Sequence, residues 1–307
     1  MISIIIPTLN GGSLFQEVLQ SVEKQQLAEE YELLVVDSSS TDKSVQVAEE
    51  FGARVVSVKR EDFDHGGTRT MAAMQAKGDI LVFITQDAVL TSSQSLARLI
   101  APLKGSNTLA VSYGRQLSCE NATPSATHLR LFNYPETSLR RSYDDRKVYG
   151  LKTVFVSNSF AAYKKEMLRE VGFFQDGLVF GEDTCTVGRL LLNGFSIQYV
   201  SEATVYHSHN YSLVEEFKRH FDIGVLHSSE NWLLQEYGKA EGHGASYVKS
   251  AVSYYLQTGV WYLLPELFIR CGVKYMAYQL GRGYKRLPNV LRRNFSMNGS
   301  WWLKNNS

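Results

Sequence analysis

Three apolar runs, the first stopped by Pro7 and the other two closed by polar residues, with helix-forming stretches between them, constrain this chain more than any other feature. Ile2-Ser-Ile-Ile-Ile, Glu32-Leu-Leu-Val-Val and Asp79-Ile-Leu-Val-Phe-Ile read as buried strands, with a shorter one from Arg54 to Val58. Between them the apolar period changes to 3.6. Helices are predicted from an N-cap at Ser13 to about Gln26, from Lys43 to Phe51, and from Thr68 to Lys77, with Gly52 and Gly78 as stops. Alternating strand and helix specifies an α/β fold, a mostly parallel sheet covered on both faces. Ligands bind such sheets outside the carboxyl ends of the strands. Thr8 with Asn10, Asp37, and Asp87 all fall at such ends.

Of the 307 residues 44% are hydrophobic and 21% charged, which excludes a disordered chain and leaves ample material for a core. The formal net charge is +1, unevenly spread. From Ala245 to Ser307 there are nine Lys/Arg against one acid, Glu266, so the preceding chain is acidic. A basic tail on an acidic body predicts contact with phosphates, an anionic membrane or an acidic partner, and the near-neutral total argues against nucleic acid. Cys119, Cys185 and Cys271 are odd in number and widely spaced, which predicts a reducing compartment. The opening residues lack a basic segment and a small-residue cleavage site, so a cytoplasmic location is expected. No apolar run reaches the roughly 18 residues of a membrane span. The nearest, Ala251 to Ile269, is broken by Gln257, Pro265 and Glu266.

Beyond residue 110 the pattern is less regular. Strands are predicted near 109–113, 154–163 and 196–200, with a helix from Thr186 to Leu192. After Ser212, a plausible N-cap, the chain becomes helical and aromatic. The expected division is a body over 1–215, itself split near residue 110, and a helical extension over 216–307.

Several clusters can carry chemistry. Asp37 can accept from a base N–H or a ribose hydroxyl, or simply shape a turn. No GxGxxG follows the first strand. The glycines lie in His65-Gly66-Gly67-Thr-Arg69, where two N–H groups and a guanidinium can face an anion, or begin an ordinary helix. Thr85-Gln86-Asp87 offers one carboxylate, enough for a hard cation whose shell a diphosphate and water complete. Glu182 and Asp183 open a helix, as dipole partners or with one as a general base. His207 and His209, two apart, face one side of an extended segment and suit a metal site or a structural role.

Taken in order, Ile4-Ile-Ile-Pro-Thr-Leu-Asn10, Val35-Val-Asp37-Ser-Ser-Ser-Thr-Asp42, Thr85-Gln-Asp87-Ala and Gly181-Glu-Asp183 resemble the inverting GT-A glycosyltransferases of family 2, over about residues 1–215. Within that family, Phe63-Asp-His65-Gly-Gly-Thr-Arg69 and His207-Ser-His209-Asn-Tyr-Ser resemble the bacterial rhamnosyltransferases of O-antigen and other cell-surface polysaccharides. The resemblance implies a GT-A fold, a dTDP-β-L-rhamnose donor and Mg2+ or Mn2+. It implies that Pro7, Thr8 and Asn10 line the nucleotide and that Asp37 contacts base or ribose. Arg69 would stand near the diphosphate, with His65, Gly66, Gly67 and Gln86 also on the donor side. Asp87 would bind metal with His207 or His209, and Asp183, beside Glu182, would be the base. Thr85 stands where the family's metal motif usually begins with Asp, so metal and donor are expected to bind together.

The acceptor implied is a glycan or lipid-linked oligosaccharide. Trp261, Tyr262, Phe268, Tyr275, Tyr278, Trp301 and Trp302, interleaved with Arg and Lys, suit an anionic membrane surface; the alternative is a helical pair packed on the catalytic domain or across a homodimer interface, with a solvated basic face. A sugar nucleotidyltransferase is disfavoured because Pro7-Thr-Leu-Asn-Gly-Gly carries no basic residue, and a non-catalytic sugar-binding scaffold has no need of a base.

Overall fold

The computed structural model describes residues 1–238 and 241–304. The chain divides into two compact units: one of residues 1–119, 134–176 and 182–207, the other of 120–133, 177–181 and 208–307.

The first unit holds a nine-stranded sheet of β1 (Ile2–Thr8), β2 (Tyr31–Asp37), β3 (Arg54–Ser57), β4 (Ile80–Ile84), β5 (Val89–Leu90), β6 (Leu109–Leu117), β7 (Leu139–Arg141), β8 (Phe160–Lys164) and β9 (Ser196–Tyr206). The order is β3-β2-β1-β4-β8-β6-β9-β5, with β7 also on β9. β1 to β4 are parallel, β8 is antiparallel to both β4 and β6, and β6 is parallel to β9. The sheet is therefore mixed. Its consequence is geometric: β1, β2, β4, β6 and β9 all end at the edge where β8 begins. Side chains at the ends of strands far apart in sequence thus share one rim. Isoleucine, valine and phenylalanine of β1, β2 and β4 fill the core, with Ile4, Ile5, Leu34, Val35, Val82 and Phe83 fully buried.

Where the elements depart from the sequence pattern, a local contact explains it. Pro7 does not stop β1; it pairs with Val36 of β2, and it lies beyond Ile5, the last residue in register with β4, where its missing N–H breaks no ladder. The first helix begins at Gly12 rather than after Ser13, because the left-handed Asn10 (φ 48°) turns the chain early and Gly11 and Gly12 donate to Ser44 Oγ and Asp42 Oδ2. The strand expected from 154 begins only at Phe160, since Arg141 donates to the carbonyls of Lys152 and Phe155 and holds that segment in a 3-10 turn.

The second unit is helical. Ser212 caps the helix Leu213–Ser229 and Glu215 completes a capping box. That helix touches the helix Leu264–Arg282 backbone to backbone: a Cβ on Gly224 would stand 2.3 Å from Tyr278 O, and one on Gly281 2.1 Å from Phe221 O. Glu216 binds Arg270 and Lys274, each at 3.1 Å. Of the aromatic residues expected at the surface, Trp302 is instead packed in the core at 2% exposure, and Tyr278 is half-buried, its hydroxyl bonded to His227. Trp261, Tyr262, Phe268 and Tyr275 are exposed.

Candidate functional site

The rim of the sheet collects the predicted residues of the first unit through an unbroken series of contacts. Thr8 and Asp37 are paired at the ends of β1 and β2. Asp37 is 3% exposed; one carboxylate oxygen accepts from Ser40 N–H, while Oδ1 is buried with no partner among the described residues. A buried acceptor left open is costly and suits a ligand's N–H or O–H. Asn10 is exposed and pinned: its side-chain oxygen accepts from Thr41 N–H at 2.7 Å. Pro7 is half-buried on β1. Gln86 follows β4 and clamps the loop after β1, accepting from Leu9 N–H at 2.7 Å and donating to Leu9 O at 3.2 Å. Both ends of its amide thus hold the Leu9 backbone.

The Gly66 and Gly67 N–H groups, expected to face a donor anion, are taken by a protein carboxylate. Asp64 caps the helix His65–Gln75 and its Oδ1 accepts from both, at 3.0 and 2.7 Å. Glycine is required at 66 because a Cβ there would lie 1.7 Å from Gln175 O. Arg69 likewise does not reach outward. It is buried, donates to His65 O, and forms a 3.1 Å ion pair with Glu182 Oε1. Burial holds the His65 imidazole below its ordinary value against the pull of Glu182.

Glu182 and Asp183 open the helix Glu182–Leu192 and have opposite environments. Glu182 is buried; burial pushes its carboxyl up, but Arg69 and His65 outweigh that and hold it below the usual value. Asp183 is partly exposed. Burial first, and the charge of Glu182 second, raise it to about 6, against the N–H groups of Thr184 and Asn158 and the charge of Arg69. Two adjacent carboxylates with separated affinities for protons are the arrangement expected of a base beside a fixed like charge.

His207 lies just past β9, buried, with Nε2 3.4 Å from Asp87 Oδ1. Its Nδ1 is 2.9 Å from Gln116 Oε1, and Gln116 Nε2 donates to Ser157 Oγ at 3.0 Å. The Gln116 oxygen therefore accepts the Nδ1 proton, and in the neutral imidazole the Nε2 lone pair faces Asp87. Asp87 and His207 turn a carboxylate oxygen and an imidazole nitrogen towards one point, the donor types that a divalent ion takes. His209 belongs to the second unit; two residues of chain keep it within about 7 Å of His207. Thr85 Oγ1 is buried with no partner among the described residues.

Gln116, Ser157, Asn158 and Tyr163 were not legible as site residues. They are common polar types in no motif, and only the position of Gln116 near the end of β6 resembles the signal that marked Asp37.

The glycosyl transferase family 2 model matches residues 3–172. The chain is 37% identical to the O-antigen chain rhamnosyltransferase RfbN of Salmonella typhimurium, over 98% of this chain and 96% of that protein. It is 36% identical to the O-antigen chain rhamnosyltransferase WbaN of Salmonella anatum, over 98% and 95%. Among solved structures, the mannosyltransferase PcManGT from Pyrobaculum calidifontis, in complex with GDP-Man and Mn2+, superposes with a TM-score of 0.65 at 16% identity, over 93% of this chain and 88% of that one. Glucosyl-3-phosphoglycerate synthase from Mycobacterium tuberculosis, in complex with Mn2+, UDP and glucosyl-3-phosphoglycerate, gives 0.51 at 22%, over 78% and 80%. At these identities the two structures bear on the fold alone.

Proposed function

Since the chain belongs to glycosyl transferase family 2 and is a glycosyltransferase, we propose that it moves L-rhamnose from dTDP-β-L-rhamnose to a hydroxyl of a lipid-linked glycan, with inversion. The observation that carries the mechanism is Asp183: a partly exposed carboxylate at the ligand-binding rim, raised to about 6 beside an ionised Glu182. At neutral pH it is deprotonated yet basic enough to accept a proton.

Asp183 takes the proton of the acceptor hydroxyl as that oxygen attacks the anomeric carbon. The bond from that carbon to the diphosphate oxygen breaks on the opposite face, and the nucleoside diphosphate leaves with the electron pair. One displacement inverts the centre and needs no protein nucleophile. Asp37 Oδ1 accepts from the base or ribose, on the loop that Asn10 and Gln86 hold in place. Arg69 keeps Glu182 ionised, so that its charge adds to burial in raising the basicity of Asp183. Asp87 and His207 would hold Mg2+ or Mn2+, which would supply countercharge to the leaving diphosphate. The rhamnosyl assignment draws support from the two Salmonella relatives, matched over nearly their full length.

Contact with an anionic membrane surface, where a lipid-linked acceptor resides, is supported by the second unit. Trp261, Tyr262, Phe268, Ile269, Tyr275 and Met276 are exposed at helical spacing, in a stretch that carries nine Lys/Arg and one acid. No helix among the described residues is long and apolar enough to cross a membrane. A thermal-shift panel of nucleotide sugars with and without Mn2+ tests the donor: dTDP-rhamnose with Mn2+ gives the largest stabilisation, and a larger response to a UDP- or GDP-sugar rejects the assignment.

A further inference from the structure

Resting on the base and metal roles proposed above, we infer that the dipeptide Ser157-Asn158, at the entry to β8, is a positioning element that sets both arms of the site, Ser157 the metal arm and Asn158 the base arm. Neither residue lies in a motif, and each acts through the side chains that it holds.

Ser157 Oγ accepts from Gln116 Nε2 at 3.0 Å and from Ser159 N–H at 3.3 Å. With two donors converging on the hydroxyl oxygen, the Gln116 amide is oriented, and its carbonyl oxygen is left to take the His207 Nδ1 proton at 2.9 Å. The lone pair of Nε2 is thereby directed at the place beside Asp87 Oδ1. A partner of this kind beyond a metal ligand typically changes metal affinity 10- to 100-fold.

Asn158 is 3% exposed and works on the opposite side. Its backbone N–H donates to Asp183 Oδ2 at 3.3 Å, and its side-chain amide donates to Glu182 Oε1 at 3.2 Å. Tyr163 O–H donates to Asn158 Oδ1 at 2.7 Å, which fixes the amide so that its nitrogen faces Glu182. Glu182 also holds Arg69 at 3.1 Å. One residue thus aligns the base and the carboxylate beside it. The dipeptide is tied to the rim on its other flank too: Thr85 N–H donates to Ser159 O at 3.3 Å, two residues before Asp87. Asp87, His207, Gln116, Ser157 and Ser159 with Thr85 therefore close a ring, from which Asn158 reaches Asp183.

The test separates the two neighbours. Mn2+ binding in the presence of dTDP is read from the free-ion EPR signal, and turnover from hydrolysis of dTDP-L-rhamnose by water, for Ser157→Ala, Ser157→Thr and Asn158→Ala. Ser157→Ala is expected to bind Mn2+ about tenfold more weakly, with turnover that recovers as Mn2+ is raised, and Ser157→Thr to restore affinity. Asn158→Ala is expected to bind Mn2+ like the wild type and to lose about tenfold or more of its kcat at every Mn2+ concentration, with the donor KM little changed. If Asn158→Ala fails to fold by circular dichroism, Tyr163→Phe, which removes only the orienting hydroxyl, is expected to show the same kcat loss. A loop that merely has to fold gives both neighbours one phenotype; that result, or Mn2+ affinity untouched in Ser157→Ala, overturns the inference. Wild-type protein that takes up no Mn2+ with dTDP refutes instead the metal reading beneath it.

Discussion

Replacing Glu182 by Gln should move the pH dependence of the reaction, and its direction follows from the structure. Asp183 is raised to about 6 by burial and, second, by the negative charge of Glu182. A base works only when deprotonated, so wild-type turnover is lost as pH falls through about 6, with roughly a tenth of the molecules competent at pH 5. Glu182→Gln keeps the shape and an oxygen for Asn158 to donate to, but removes the charge and leaves Arg69 to pull the other way. Burial persists, so the acid limb should settle between about 4 and 6, below the wild-type limb. Turnover at pH 5 then rises relative to turnover at pH 7, although the absolute rate falls because a weaker base accepts the proton. The assay is dTDP release from dTDP-L-rhamnose over pH 4.5 to 8, with dTDP affinity measured at each pH. Stripping the buried Arg69 of its partner costs about 3–5 kcal/mol, so a thermal melt accompanies each point. A limb that stays at 6, or moves to higher pH, refutes the coupling of the two carboxylates.

Asp183→Asn should retain dTDP binding and lose about 10²-fold or more in kcat, flattening the acid limb; unchanged turnover rejects it as the base. Asp87→Ala should weaken dTDP binding by calorimetry in Mn2+ and leave metal-free binding nearly intact, whereas equal loss in both conditions argues against a metal ligand. Gly66→Ala should destabilise the protein by at least about 1–3 kcal/mol in urea unfolding, since its Cβ meets the Gln175 carbonyl, and a neutral result shows that the helix His65–Gln75 shifts freely. Replacing Trp261, Phe268 and Tyr275 together by Ser should abolish co-sedimentation with vesicles containing anionic lipid without lowering the melting temperature; undiminished binding removes the membrane face.

Much of the rim was legible because strands announce themselves. Apolar runs of β-branched residues that end in Thr8, Asp37 and the Thr85–Asp87 cluster place those side chains at strand ends whatever the rest of the chain does, and adjacent Glu182 and Asp183 in a first helical turn need no long-range contact to be noticed. What such local signals do not contain is orientation. His65-Gly-Gly-Thr-Arg69 reads as an anion cradle, yet Asp64, one residue upstream, satisfies both glycine N–H groups, and Arg69 turns inward to Glu182, 113 positions away in the chain. Likewise Trp302 looks like a surface residue until packing buries it.

By itself the sequence determined the alternation of strands and helices, the carboxylates at their ends and the basic aromatic tail, because period, capping and charge are local properties. Which polar groups satisfy each other, and which are left for a ligand, depends on how distant segments meet. The reversal of β8 between β4 and β6 brings Ser157 and Asn158 to the same rim as Asp87, Gln116 and His207, and hydrogen-bond partnership depends on that meeting in space, which no pattern along the chain encodes.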